Sequence, residues 1–337
     1  MIKKYFNFIL LLIIFVIVFI TMSILTPDKF LSVRNFQSMA YQIPEFGILS
    51  LAMFLSIVSG GINLSTVNTA SLSGIVGALI LINFAAKQTD SFSIIMWIII
   101  AVLVSILTSL SCGFINGFMI GVIGVSPILT TLGTLTFFHG ISLRIAGGSA
   151  GGITGFPDQF LWIGNANILG LPVPFIIFVI VFVIVFIILK TTYGFSIYMI
   201  GSNPTASQFS GINNKIVLLK NYVFSCLLCN IAGIIMISRY NSAKADYGSS
   251  YLLQSILAVM LGGTSIAGGH GTIQGLVVAI LILQMISSGL NIFGLTIGKN
   301  VFLVDIIWGS LLIIIISISF LVERRSYSKL GRVELKK

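Results

Sequence analysis

Residues 261–275 read LGGTSIAGGHGTIQG, with six glycines in fifteen positions, and so raise the question of a loop that binds a nucleotide phosphate. Such a loop has the pattern GxxxxGK[ST] between a strand and a helix. This stretch has no lysine and follows an apolar segment, and GLTIGKN (294–300) has the wrong spacing, with Asn300 in place of Ser or Thr. We therefore predict no nucleotide site. The glycines favour close helix approach and a backbone break, with a simple flexible loop as the alternative.

Cysteine and histidine are too sparse and too isolated to predict a metal or catalytic site. Cys226 and Cys229 form a CxxC, but the surrounding NYVFSCLLCNIAGIIMIS is apolar and favours buried small side chains. His139 and His270 have few carboxylates near them in the sequence, so neither a metal site nor an intramembrane enzyme with a paired nucleophile and base is favoured. Asp305, about five residues into a final apolar stretch, is explained by interfacial solvation, with proton coupling through it as the alternative.

A second kind of chemistry is hydrogen bonding by polar residues inside apolar stretches. Such side chains usually face the interior of a helix bundle, where they either join helices or line a pathway, and both roles stay open here. Asn63 and Asn68 are the best pathway candidates because they flank a glycine break. The full candidate set is Asn63, Ser65, Asn68, Asn116, Thr130, Thr131, Gln254, Gln284 and Asn291.

The composition indicates that membrane-embedded segments must position these residues. The chain has 337 residues, of which 57% are hydrophobic and 8% charged, and its mean hydropathy is +1.13. A soluble domain has roughly a quarter charged residues, so the chain is predicted to be an integral membrane protein. The net charge of +10 comes largely from basic residues outside the apolar stretches, without the interleaved aromatics of a nucleic-acid surface. We predict no nucleic-acid partner.

Apolar stretches predict an all-α polytopic fold of about ten transmembrane helices. Both termini are then cytoplasmic, as the basic residues at each end favour, although several basic residues fall on the outer side. Domain 1–323 is the membrane domain, with a cytoplasmic segment 191–214, an outer loop 147–172 and a basic cytoplasmic tail 324–337. The first stretch is long enough for a retained span rather than a signal peptide. The spans are 6–25, 44–60, 66–84, 92–112, 126–145, 173–189, 216–237, 252–267, 272–290 and 301–321.

Glycines interrupt several of these spans. Breaks survive at membrane depth only where protein or a water-filled cavity supplies partners for the backbone, and transporters use them for substrate sites near the midplane. Residues 59–82 and 261–283 can be aligned with one gap, and 116–133 loosely resembles 291–309, which suggests an internal repeat of unassigned orientation. The predicted break residues are Gly60, Gly61, Gly262, Gly263, Gly268 and Gly269.

Three motifs carry a specific resemblance. SGGINLSTVNTASLSGIVGALI, GSNPTASQFSGI and LGGTSIAGGHGTIQGLVVAILILQMISSGLNIFGL occur in this order and resemble the membrane-spanning permeases of ribose-type sugar ABC importers over nearly the whole chain. The resemblance implies a bacterial inner-membrane permease that pairs with a second copy or a paralogue. It also implies cytoplasmic ATPase subunits that use the ATP, an extracytoplasmic sugar-binding protein and a monosaccharide cargo, with no cofactor in this chain.

The first motif departs from the family pattern, which has aspartate at the position of Asn63 and a glycine within the stretch occupied by residues 66–68. Asparagine keeps hydrogen bonding without a buried charge, so we expect transport to be retained, with substrate or partner choice open to change.

The polar segment 190–215 is the predicted contact with the ATPase. Asn203 and Pro204 suit the start of a short helix and Gly211 its end, and the family resemblance makes this helix the coupling element; an ordinary capped loop helix is the alternative. In the outer loop, Phe156, Phe160 and Trp162 are apolar anchors for a binding protein or for a re-entrant cap. The predicted coupling residues are Gly201, Asn203, Pro204, Ala206, Ser210, Gly211 and Ile212.

Two functional alternatives remain beside the sugar importer. An ion-coupled secondary transporter needs carboxylates or histidines deep in the spans, and this sequence has almost none. A related ABC permease with another cargo, such as a nucleoside or a furanosyl signalling molecule, fits the sequence equally well.

Overall fold

The computed structural model describes residues 2–148, 151–168 and 170–297, together with 306, 308–310, 313 and 317. The helices are α1 Ile2–Leu25, α2 Pro27–Phe30, α3 Val33–Val58, α4 Thr66–Asn83, α5 Ser91–Gly117, α6 Pro127–Ala146, α7 Asp158–Asn165, α8 Val173–Leu189, α9 Thr192–Ser202, α10 Pro204–Phe209, α11 Asn214–Tyr240, α12 Ser249–Leu261 and α13 Ile273–Ile297. A 3-10 turn, Ala85–Lys87, follows α4, and a π-helix, Phe118–Ile123, follows α5. The strands are β1 Ile153–Thr154, β2 Asn167–Ile168, β3 Leu171–Pro172 and β4 Ser242–Ala243.

Among the described residues, seven helices are long and apolar enough to cross a bilayer, and the pair α8–α9, bent by 73°, adds an eighth. Helix α12 is apolar but has only 13 residues, about 20 Å at 1.5 Å per residue. Nine of the ten predicted spans thus fall on a helix, while most of 301–321 and all of 324–337 lie outside the described residues. The all-α polytopic membrane fold is confirmed; the count of ten and the side of each terminus stay predictions.

Two predicted spans differ from the helices. The predicted span 44–60 belongs to α3, which starts eleven residues earlier, and its proline, Pro44, lies inside the helix. Residues 33–43 are too polar for a hydropathy argument to include, yet their tertiary contacts keep them helical. The predicted span 252–267 belongs to α12, which already ends at Leu261.

Helix α3 is the centre of the bundle and α1 lies at its edge. The most apolar part of α3 is 89% buried inside the protein, whereas the corresponding part of α1 is 6% buried. The main core gathers buried side chains of α3, α8, α11, α12 and α13. Since the exposed side chains of α1 are nearly all aliphatic, we expect lipid to cover them.

Glycines let helices α5 and α11 approach backbone to backbone. A β-carbon on Gly113 would lie 2.7 Å from Val223 Cα, and one on Gly117 would lie 2.8 Å from the carbonyl oxygen of Leu219. Only glycine fits such contacts, which is how small residues replace the hydrophobic effect as a packing device in membranes.

The outer loop folds onto the ends of α3 and α11. Strand β1 pairs antiparallel with β4, and β2 with β3. Ser238 joins α11 to α7, because its hydroxyl donates to the Phe160 carbonyl at 2.7 Å and accepts from the Gly164 N–H at 2.8 Å. Of the predicted anchors, Phe156 and Phe160 are buried core residues, and Trp162 is the exposed one, at 55%.

Candidate functional site

Helix α10 is a short capped helix within the predicted coupling segment. The Asn203 side chain accepts a hydrogen bond from the Ala206 N–H at 3.0 Å, and Pro204 takes the first helical position. After the helix, Gly211 has a φ of +83°, a conformation that glycine adopts without strain. The predicted local structure is therefore present, and the role of the helix stays a prediction.

One side of α10 is tied down and the other is free. Ser207 is buried and donates to Asn214 Oδ1 at 2.8 Å, and Asn214 in turn donates to the Pro204 carbonyl at 2.7 Å. On the other side Ala206 is exposed and the ring of Phe209 is 89% exposed. A small rigid helix that presents an aromatic ring suits a pocket on another protein.

The remaining predicted coupling residues divide between two locations. Ser210 and Gly211 are exposed beside α10, and Ile212 is half-buried. Gly201 instead lies behind the helix, where its α-carbon is 3.5 Å from the position that a β-carbon on Gly60 would take.

Gly201 belongs to a contact that the sequence did not reveal, where both predicted glycine breaks meet. The Gly269 N–H donates to the Val58 carbonyl at 2.9 Å. A β-carbon on Gly201 would overlap that carbonyl oxygen and lie 2.5 Å from the Gly269 nitrogen, and one on Gly268 would lie 2.7 Å from Gly60 Cα. We call these four glycines, Gly60, Gly201, Gly268 and Gly269, the glycine junction.

Two side chains brace the junction from α9. The Tyr198 hydroxyl donates to the Gly271 carbonyl at 3.1 Å, and the Ser202 hydroxyl donates to the Gly269 carbonyl at 3.4 Å. The neighbouring break residues pack elsewhere: Gly61 lies against Pro127 and Tyr222. Gly262 lies against the backbone of α13, and Gly263 has a φ of +82° with open space around it.

The breaks have a defined position in the bundle. Residues 59–65 follow the last turn of α3 and touch the residues just before α10. The breaks therefore lie at the end of the bundle that carries α10.

Several predicted pathway residues form one buried hydrogen-bond network. Asn63 Oδ1 accepts from both the backbone N–H and the hydroxyl of Ser65, at 3.2 and 2.8 Å. Asn116 donates to the Ser65 hydroxyl at 2.8 Å and accepts from the Thr134 hydroxyl at 2.7 Å. Thr131 donates to the Ile62 carbonyl at 3.0 Å. These bonds join the first break to α5 and α6.

This network lies inside the subunit. Asn63, Ser65, Asn116 and Thr131 are fully buried and Thr130 nearly so. Among the residues that the structure describes, Asn63 Nδ2 and the Thr130 hydroxyl have no hydrogen-bond partner, so a water or a small shift would satisfy them. None of the five faces an open surface of the chain.

The other predicted pathway residues are scattered. Asn68 is half-buried and donates to the Leu135 carbonyl on α6 at 2.9 Å. Gln284 is buried and donates to Gln42 at 3.1 Å, joining α13 to α3. Gln254 is buried in α12, and Asn291 is exposed near the end of α13.

Sequence reasoning missed the exposed face of α6. Gly133, Thr136, Gly140 and Arg144 recur at spacings of three and four and are exposed, so they share one face of the helix. An open groove of about 450 Å³ lies here, lined by Thr136, Phe137, Gly140, Ile141, Arg144 and Ile145. The signal was available, since small and polar residues at helical spacing on an outward face are unusual in contact with lipid.

A buried ion pair was missed as well. Glu45 is fully buried in α3, and Arg239 Nη1 lies 3.2 Å from its Oε1. The hydroxyls of Tyr251 and Tyr240 donate to Oε2 at 3.1 and 3.3 Å, and Arg239 also donates to the Tyr41 carbonyl at 3.0 Å. The cluster joins α3, α11 and α12 at the end of the bundle opposite α10.

The cysteines belong to the buried interior. Cys112, Cys226 and Cys229 are free and buried, and Cys226 lies within hydrogen-bonding reach of Asn63 and Asn116 of the buried network. Within the described part of the chain, no three His, Cys, Asp or Glu side chains form a group that could hold a metal ion. His139 lies 3.6 Å from Asp246, a partly exposed contact between α6 and the loop before α12.

The described helices form a polytopic membrane protein with interrupted helices, an exposed capped helix at one end and a polar outward face. Residues 35–316 match the family model described as branched-chain amino acid transport system, permease component. The chain belongs to this family, whose members are transport subunits, and the resemblance to ribose-type ABC permeases is confirmed.

Curated relatives are similar over most of the chain. The autoinducer 2 import system permease protein LsrD of Yersinia enterocolitica is 34% identical over 253 residues, which cover 74% of this chain and 73% of the relative. The proteins of the same name from Escherichia coli and Shigella flexneri are 35% identical over the same coverage. No solved structure matches the chain. The chain is thus a multi-pass membrane permease of an ABC importer.

Proposed function

We propose that this permease moves a small furanosyl, sugar-like solute across the membrane. The observation that carries the proposal is the 34–35% identity over 253 residues to permeases named for autoinducer 2 import. Ribose and other monosaccharides are the alternative cargo. A polyhydroxylated solute needs donors and acceptors rather than a countercharge, which suits a membrane domain that is poor in charge.

Solute uptake by cells that lack this chain tests the cargo. We expect the loss of autoinducer 2 uptake, restored by the wild-type chain, with ribose and leucine uptake unchanged. Loss of ribose uptake alone would replace the furanosyl cargo by a monosaccharide, and loss of leucine uptake alone would contradict a sugar-like cargo altogether.

The proposal includes the partners implied by the family. A separate ATPase binds α10 and supplies the work, because the exposed ring of Phe209 and the tied-down Ser207 side make α10 a rigid contact. An extracytoplasmic binding protein docks on the outer loop, where Trp162 on α7 and Leu171 in the β2–β3 hairpin are exposed apolar side chains.

The proposed translocation path runs between two permease subunits, along the exposed face of α6. The buried network of Asn63, Ser65 and Asn116 supports that face from inside the subunit instead of lining the path. A second copy or a paralogue would cover Thr136 and Arg144, which are polar groups that hydrocarbon solvates poorly.

A further inference from the structure

We propose that the glycine junction transmits the movement of α10 to the face of α6, with Gly201 and Gly269 as positioning residues of the transport cycle. The inference rests on the proposed function, since it assumes that α10 receives the work of the ATPase. It adds the route by which that work reaches the helices of the membrane domain.

The first step of the route is the short connection from α10 to the junction. Asn203 is the single residue between α9, which ends at Ser202, and α10, which starts at Pro204. Its side chain caps α10, so it is held by the helix that would move. A displacement of α10 must therefore move Gly201, two residues before the cap.

The second step is a contact between backbone atoms, in which no side chain can absorb a displacement. Side chains can absorb a displacement by changing rotamer, but Gly201 meets the Val58 carbonyl and the Gly269 nitrogen with backbone atoms alone. The hydrogen bond from Gly269 to Val58 closes the same contact between the end of α3 and the break before α13. Since close-packed groups shift together rather than deform, α10, α3 and the second break behave as one unit here.

The third step leads from the first break to α6. Val58 ends α3, and four residues later the Ile62 carbonyl accepts the hydroxyl of Thr131 at 3.0 Å. Ser65 continues through Asn116 to Thr134. Thr131 and Thr134 are on the inner side of α6, whose outer side carries Thr136.

Replacement of Gly201 by alanine tests the junction. The assay uses proteoliposomes that contain the assembled importer with its ATPase and internal ATP, and the solute with its binding protein is added outside. The solute is autoinducer 2, or ribose if the uptake experiment with cells that lack this chain identifies ribose as the cargo. The added methyl group overlaps the Val58 carbonyl and forces the two backbones apart. We expect Gly201→Ala to keep ATP hydrolysis while solute transported per ATP falls about tenfold, within the usual range of coupling free energies.

Two glycines provide matched controls. Gly113→Ala adds the same methyl at another close backbone contact, 2.7 Å from Val223 Cα between α5 and α11, and Gly309→Ala adds it where no atom of the described residues lies within 4 Å. We expect Gly113→Ala to lower the yield of folded protein without changing solute per ATP, and Gly309→Ala to leave that ratio unchanged. An equal fall in the ratio for Gly113→Ala and Gly201→Ala would overturn the proposal, because general overpacking would then explain both.

Tyr198→Phe decides the question if Gly201→Ala does not assemble. This variant removes only the hydroxyl that donates to the Gly271 carbonyl. A neutral hydrogen bond contributes about 1 kcal/mol, so its loss corresponds to a fall of about fivefold in solute transported per ATP. A ratio equal to wild type in Tyr198→Phe, or in a folded Gly201→Ala, overturns the route. Phe209→Ala separates the two claims: if it leaves ATPase binding intact, the proposed role of α10 fails instead.

Discussion

Glu45 and Arg239 pair in a part of the chain that is otherwise poor in charge. The predicted topology puts Arg239 on the outer side, against the preference of basic residues for the cytoplasm. Arg239 Nη1 lies 3.2 Å from Oε1 of the fully buried Glu45, and an ionised Glu45 would balance the charge of Arg239 at this position. Tyr240 and Tyr251 satisfy the remaining carboxylate oxygen, so three helices share one polar contact.

A double-mutant cycle measures this pair. Glu45→Ala leaves Arg239 without a countercharge in a largely buried position, and breaking such a pair typically costs 3–5 kcal/mol. We expect Glu45→Ala and Arg239→Ala each to lower the midpoint of thermal unfolding in detergent, and the double variant to lose less than the sum of the two. Strictly additive losses would show that the two groups do not stabilise one another.

The features that shape helix α10 are close together in the sequence: its N-terminal cap, its hydrogen bond to α11 and its exposed aromatic ring. Asn203 fixes its start and Asn214 holds it to α11, so the helix keeps its shape without a partner. Binding of a partner therefore costs little conformational entropy for the ordering of α10, and this favours affinity.

A large charged residue on α10 should break the proposed contact with the ATPase. Ala206 is exposed, so Ala206→Glu disturbs neither the core nor insertion into the membrane, but it places a bulky unpaired charge at the interface. We expect uptake to fall to background and the ATPase to be lost on purification, a weakening of about 2 kcal/mol or more. Ala206→Ser is the control and should transport normally; undiminished uptake by Ala206→Glu would refute the contact.

At the scale of the whole molecule, the outward face of α6 is the proposed contact with a second subunit. Its groove and its polar residues are open in a single subunit, whereas the network of buried polar residues is closed inside it. Two subunits that meet at this face would enclose a polar path and leave the aliphatic surface of α1 to lipid.

Cysteine labelling distinguishes a polar path from a lipid-facing surface. Thr136→Cys would place a thiol in the groove, and Leu107→Cys would place one on α5, where the side chain is 61% exposed. The native cysteines are buried and give a low background. In the assembled importer we expect a charged thiol reagent to label Thr136→Cys at least about tenfold faster, because only a thiolate in water reacts. Equal rates would contradict the path along α6.

The sequence alone determined the class of this protein and much of its local structure. A membrane protein follows from composition, because so few charged residues cannot cover a globule in water. The cap at Asn203 and the stop at Gly211 follow from local backbone chemistry, which needs no tertiary information. The family motifs carried the rest of the functional prediction.

The tertiary structure decided which of these features touch. That the breaks at Gly60 and Gly268 meet Gly201 depends on contacts between segments more than 60 residues apart, and no periodicity in a single sequence encodes such a distance. The same holds for Asn63 and Asn116, whose polar types fit both a pathway and a packing role, and which the fold joins through Ser65 in one buried network. Local backbone preferences can be predicted from neighbouring residues, whereas contact between distant segments is a property of the folded backbone alone.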